Sequence, residues 1–456
     1  MSPTRILLSL LLIPAVLAPA AAATRVHEYR LDNGMKILVQ PDRRAPVAVA
    51  QVWYGVGSSY EYGGITGISH ALEHMMFKGT PKHPAGEFSR IVSELGGREN
   101  AFTSRDYTAY YQVLANDRLP VAFELEADRM QNLALPPEEF AQEIRVVREE
   151  RRLRTDDNPN SLTYEHFNAA AWLNSPYGIP VIGWMTDLEH MRVEDLRAWY
   201  ERWYAPNNAV LVVVGDVDPD AVHALAREHF GAIPARDLPD VKPRTEVPQR
   251  GERRIVVKAP AELPTLLMGY KTPVVNTAET DWEPYALEVL AGVLSGGGSA
   301  RLTRELVRGQ EIAASAGAGY NGFSRLDNLF MFSAVPARGR TVAELEAALE
   351  AEIERLKNEP VDDLELERVK AQVVTSDIYE RDSIQNQAFQ LGALEMVGLG
   401  WRAGEDYVAR IRAVTPEQVQ AVARKYLVSE RRTVARLDPQ PIDPARPPSS
   451  FDGHLR

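Results

Sequence analysis

Thr66-Gly-Ile-Ser-His70-Ala-Leu-Glu73-His74-Met75-Met76 is the stretch around which this chain is organised, and it reads as one helix with two chemically distinct sides. At about 100° per residue, His70 and His74 stand one above the other with Glu73 on the same arc, while Ile68, Leu72, Met75 and Met76 point the opposite way. Two imidazoles four residues apart can reach one metal ion, and a carboxylate on their face can reach a water bound to it. The order His-x-x-Glu-His reverses the commoner His-Glu-x-x-His arrangement.

Composition narrows what surrounds that helix. The 456 residues are 45% hydrophobic and 25% charged, enough for two to four domains with proper cores. A formal net charge of −12, with no basic cluster interleaved with aromatics, excludes a nucleic-acid footprint. There is no cysteine, so a bound metal has only His, Asp and Glu to hold it. Residues 1–23 read as a secretory signal: Arg5, an apolar run from Ile6 to Leu17, then the small residues Ala18 to Ala23. That run is too short for a membrane span and contains Pro14, so the expectation is an exported, periplasmic protein without stable membrane insertion.

Downstream, Asn33-Gly34 marks a hairpin between Tyr29–Leu31 and Ile37–Val39, and a further strand from Ala45 to Gly55 leads into the histidine helix. A helix near Ala85–Leu95, strands at Asn100–Thr103 and Tyr107–Leu114, and a helix from Pro120 to Leu133 follow. Pro136-Pro137-Glu138-Glu139 starts another helix, expected to reach Arg154. Helix Val193–Tyr204, buried strand Ala209–Val214 and helix Asp218–Phe230 close a first domain at residues 24–235. Residues 236–253, rich in Pro, Asp and Arg, read as a linker. The second domain, 254–438, repeats the plan, with strands at Arg254–Val257, Thr265–Tyr270 and Leu329–Val335, a helix at Trp282–Leu294, and helices through Leu364–Leu399. Glu417, Val419, Ala421, Tyr426 and Val434 fall in step, 223 residues on, with Glu194, Leu196, Ala198, Trp203 and Leu211. A Pro-rich tail is expected over 439–456. The fold class is therefore α+β: two similar α/β domains, each a mostly antiparallel mixed sheet packed against helices.

A catalytic zinc takes three protein ligands and leaves one position for water, so a third ligand must come from elsewhere. The helix after Pro137 offers Glu143, Glu149 and Glu150; Glu143 and Glu150, seven apart, share a face, so one could ligate and the other support.

With His70-x-x-Glu73-His74, Gly96-Gly97-x-x-Asn100-Ala101-x-Thr103, the Glu143/Glu150 pair, Pro176-Tyr177-Gly178 and Asn207-Asn208-Ala209, nearly the whole mature chain resembles the pitrilysin/insulinase (inverted zincin) superfamily of zinc peptidases, in its short-chain, mitochondrial-processing-peptidase-like branch. The resemblance implies one Zn2+ per chain on His70, His74 and Glu150, the glutamate 76 residues past the second histidine. It implies Glu73 as the base that activates water and Glu143 as a supporting catalytic residue behind His70 or Glu150. It also implies that Asn100, Ala101 and Thr103 lie on an edge strand binding a peptide backbone as an added strand.

One departure stands out. Many relatives carry Arg and Tyr seven residues apart after a Gly-rich turn in the second half, to steady the substrate carbonyl and the oxyanion. Here the aligned positions are Val307 and Ala314, and no shift of register among Arg301, Arg304 and Arg308 restores a tyrosine. The Gly296–Gly298 run lacks the Gly-Lys-Ser/Thr of a nucleotide loop. The expectation is a zinc endopeptidase acting on peptides or unfolded proteins, with a homologous partner subunit supplying Arg and Tyr. The competing reading is a non-catalytic scaffold or peptide-binding homologue.

Overall fold

The structure, a computed structural model, describes residues 25–443, so the leader and most of the tail lie outside the described residues. The first sheet contains β1 (His27–Arg30), β2 (Lys36–Pro41), β3 (Val47–Tyr54), β4 (Arg98–Thr103), β5 (Thr108–Ala115) and β6 (Ala209–Gly215), in the order β1-β2-β6-β3-β5-β4. The second contains β7 (Arg253–Pro260), β8 (Leu266–Thr272), β9 (Ala313–Gly319), β10 (Asn328–Pro336) and β11 (Arg432–Gln440), in the order β7-β11-β8-β10-β9. In each sheet one neighbouring pair is parallel, β2 with β6 and β7 with β11. The all-valine run Val212–Val214 is buried on both faces, as its unbroken apolarity requires.

The 223-residue repeat is structural. Helices Val193–Trp203 and Pro416–Tyr426, and the strands β6 and β11 that follow them, begin at that same offset. Leu211 faces Val52, and Val434 faces Met268, so β3 and β8 are also equivalent.

The two halves exchange covers. Helix Pro159–Ala171 of the first half packs on β7 and β11, setting Phe167 among Leu267, Leu329 and Ala435. Helix Ile384–Met396 of the second half packs on β3 and β6, setting Ala388 and Leu391 against Val49, Trp53 and Val212. Each interlock needs a glycine. A Cβ on Gly269 would lie 2.6 Å from the Phe167 ring, and one on Gly392 would overlap the Trp53 indole. Gly269 and Trp53 occupy equivalent strand positions, facing Thr433 and Val210, so the large and small partners are reversed between the halves.

Two expectations are corrected, the end of one helix and the start of the tail. The helix from Pro137 is regular only to Arg151 and continues as a widened turn over Arg152–Asp156. The helices expected through Leu364–Leu399 are two, Asp363–Glu380 and Ile384–Met396, and Ser383 caps the second through Asn386 N–H. The last strand runs through Pro439 and Gln440, two residues into the expected tail; past Leu437 it pairs with β7 alone, where a proline is tolerated. Among the described residues no helix is long and apolar enough to cross a membrane.

Candidate metal centre

Helix Ile68–Met75 is anchored from both sides of its start. Gly67 takes φ 84° and touches Gly183 at φ 83°; a Cβ on Gly67 would stand 2.6 Å from Ile182 O, so only glycine lets the two loops meet. The buried carboxylate of Glu61 accepts from Gly67 N–H (2.7 Å) and Ser69 N–H (2.9 Å), meeting the exposed donors and positive end of the helix. Burial pushes Glu61 up to about 7, against those two bonds. Ile68, Ala71, Leu72 and Met75 are buried in the first core, which turns the polar side of the helix to the adjoining cavity.

There His70, His74 and Glu150 converge, with one ligand atom from each within 4.8 Å of the others. Glu150 Oε2 lies 3.6 Å from His70 Nε2 and 3.4 Å from His74 Nε2. Bonds of about 2.0–2.1 Å to a tetrahedral zinc give donor separations of about 3.3–3.4 Å, so this donor set fits. Glu150 Oε2 is buried without a hydrogen-bond partner, and a cation between it and the imidazoles would satisfy it. Its other oxygen takes Arg154 Nη1 at 2.6 Å. Glu149, the neighbouring alternative, is exposed and pairs with Arg152.

Glu143 stands behind His74, correcting the expectation of His70 or Glu150. Its Oε1 is 2.9 Å from His74 Nδ1, and its Oε2 takes Lys78 Nζ at 2.5 Å. Two helical turns apart, Glu143 and Glu150 lie on the same side, but Glu143, nearer the start of its helix, meets the far edge of the His74 ring. The charges are set accordingly. Burial, then His74, pushes His70 down to about 4. Burial works against the charged form of His74 as well, but the bond to Glu143 and the nearby negative charge of Glu150 outweigh it and lift the ring to about 9. Burial raises Glu73, which accepts from Thr103 Oγ1 at 2.5 Å.

Thr103 belongs to β4, the unpaired edge of the first sheet, so the expected substrate strand does lie beside the metal group. Asn100, Ala101 and Thr103 line one cavity of about 1080 Å³ with His70, Glu73, His74 and Glu150. Asn100 Oδ1 is bonded to Ala101 N–H. Among the described residues, the second half contributes only apolar and hydroxyl side chains to this wall, such as Leu267, Met331 and Ser333. Val307 packs on the second core and Ala314 is exposed on β9, and neither lines the cavity.

Sequence reasoning missed a clamp between the halves. Arg325 reaches Asp106 Oδ1 (3.1 Å) and Ser59 Oγ (2.7 Å), while the Tyr177 hydroxyl donates to Asp106 and accepts from the N–H groups of Arg325 and Leu326. These residues come from four separate stretches, and no local spacing joins them.

Comparison with known proteins finds relatives over nearly the whole chain. A family model described as insulinase (peptidase family M16) covers residues 36–184, and one described as peptidase M16 inactive domain covers 190–373. The zinc protease PqqE of Helicobacter pylori is 32% identical over 91% of this chain and 93% of its own. A crystal structure of a protease from Helicobacter pylori superposes with a TM-score of 0.85 at 30% identity, over 91% of this chain and all of that one. The periplasmic protease PqqL from Escherichia coli has the same fold, with a TM-score of 0.78 at 19% identity; 96% of this chain covers 52% of that one.

Proposed function

The chain belongs to the insulinase (M16) peptidase family, and from that membership and the cavity geometry we propose that it is an exported zinc-dependent endopeptidase of peptides or unfolded proteins. The observation that carries this is the buried, partnerless Glu150 oxygen facing both imidazoles, with the Glu73 carboxylate on the same cavity wall. His70, His74 and Glu150 hold one zinc ion, which when bound acidifies a water and polarises the scissile carbonyl. Glu73 takes the proton of the water as its oxygen bonds to the carbonyl carbon, and delivers it to the amine nitrogen as the C–N bond breaks. Thr103 aims that carboxylate. Glu143 touches no reacting atom: it is a positioning residue that fixes the ring of His74. The backbone of the substrate lies along β4 as an added strand near Asn100, Ala101 and Thr103, a mode that reads main chain before side chain.

Among the described residues, the cavity wall from the second half offers no Arg or Tyr, which supports a homologous partner subunit supplying that pair. The fit of this chain to about half of PqqL accords with two such chains forming the working unit, and the periplasmic site of PqqL accords with the leader at residues 1–23. Metal analysis and cleavage of a quenched peptide, alone and with a co-encoded relative bearing Arg and Tyr, test the reading. Chelator-sensitive activity lost in Glu73→Gln supports it; a metal-free, inactive chain in both settings would leave the scaffold reading standing.

A further inference from the structure

The charges around the cavity leave one remainder. Glu165 is tied to Arg151 by two bonds of 2.8 and 2.9 Å, and Arg154 is tied to Glu150. Glu73 is held by Thr103. Arg105 alone among the described cations of the lining has no carboxylate partner. Asp106, the acid beside it in sequence, is already occupied by Arg325, Ser59 and Tyr177.

Arg105 is nevertheless held in place. Its carbonyl accepts from Ser59 N–H at 2.7 Å, and that of Ser104 accepts from Ser58 N–H at 3.1 Å. The guanidinium lies over the Tyr177 ring, 5.0 Å from its centroid, and Nη2 donates to Asn168 Oδ1 at 3.3 Å. Tyr177 and Asn168 are buried, and the Tyr177 hydroxyl is fixed by Asp106, so both supports are rigid. One of five N–H donors is used, which leaves a fork suited to a carboxylate. Arg105 lies two residues past the end of β4, in the turn that Ser104 N–H closes onto Tyr107 O, and so sits just beyond Thr103 and its bond to Glu73.

We propose that Arg105 recognises a carboxylate on the substrate, either an acidic side chain or the free C-terminus of a peptide lying along β4. The inference rests on the peptidase reading and names the substrate chemistry of that site. The second half takes part indirectly: Arg325 engages Asp106 and so keeps Arg105 free.

The test uses the full zinc-loaded chain carrying Glu73→Gln and fluorescent peptides in matched pairs, one pair with a C-terminal acid or amide and one with an internal Asp or Asn. The acid member of one pair should bind about tenfold more tightly by anisotropy, and the pair that responds identifies the source. Arg105→Gln should erase the difference without changing zinc content or melting temperature, and Arg105→Lys should restore part of it. An acid-to-neutral ratio unchanged by Arg105→Gln would overturn the proposal. If chains with Glu73 intact cleave but no carboxylate preference is found, recognition by Arg105 falls and the peptidase reading stands. If the preference depends on Arg105 but no cleavage occurs, the reverse holds.

Discussion

His74 Nδ1 lies 2.9 Å from Glu143 Oε1, and Lys78 holds the other oxygen of that carboxylate at 2.5 Å. The ring of His74 is therefore aimed before any ion arrives. Glu143→Ala should weaken zinc binding by about 10- to 100-fold, and Glu143→Gln by less, because the amide oxygen can still accept from Nδ1. Competition against a chromophoric chelator measures both; unaltered affinity in Glu143→Ala would show that the ring needs no such support.

Zinc must displace the proton that Glu143 and Glu150 favour on His74, lifted to about 9 in the metal-free chain. Affinity should rise with pH up to about that value, and binding should release a proton into the buffer. Calorimetry in buffers of different ionisation enthalpy reads the release directly.

Removing the metal should also loosen the fold. Free zinc at about 100 times its dissociation constant adds about 2.7 kcal/mol to a chain that binds it only when folded. Excess chelator should lower the melting temperature of the parent chain, and Glu150→Ala should abolish that response.

Gly392→Ala sets two effects against each other. Helix propensity alone would favour alanine by about 1 kcal/mol. The new methyl, however, meets the Trp53 indole, which is wholly buried. Overpacking of about 1–3 kcal/mol should win, so the melting temperature falls. Trp53→Phe in the same chain should recover part of the loss.

Glu61 gives the fold a pH dependence. Burial raises its carboxyl from 4.5 to about 7, with Asp187 adding and the Ser69 and Gly67 N–H groups opposing. The folded state therefore binds the proton more tightly than the unfolded chain. The stabilising contribution is complete below about 4.5 and is lost as pH rises to about 7, a span on the order of 3 kcal/mol. Glu61→Gln, less stable at low pH for want of one acceptor, should show a flatter profile of melting temperature between those values.

His70, Glu73 and His74 were legible because local spacing puts them on one side of one helix; Glu150 was singled out from Glu143 and Glu149 only by the family resemblance. The partner of Glu143 was not legible, since helical phase gives a side of a helix and not the atom it meets across the gap. The strand β9, Ala-Ala-Ser-Ala-Gly-Ala-Gly, carries no branched or aromatic residue to announce it and forms by pairing with β10. The Arg325 clamp and the crossing of Phe167 and of the Gly392 helix into the opposite halves depend on contacts more than a hundred residues apart, which no window of sequence contains.

Those crossed helices make the chain behave as a clasp. A nick in the strand-free stretch 236–250 would cut the polypeptide without parting it, because each fragment still grips the other's sheet. Synthesised separately, either fragment would bare the sheet face its missing counterpart covers and would be prone to aggregate. Co-expressed, the two should assemble as a split protein, so the covalent link across the nick is not needed once both fragments are present.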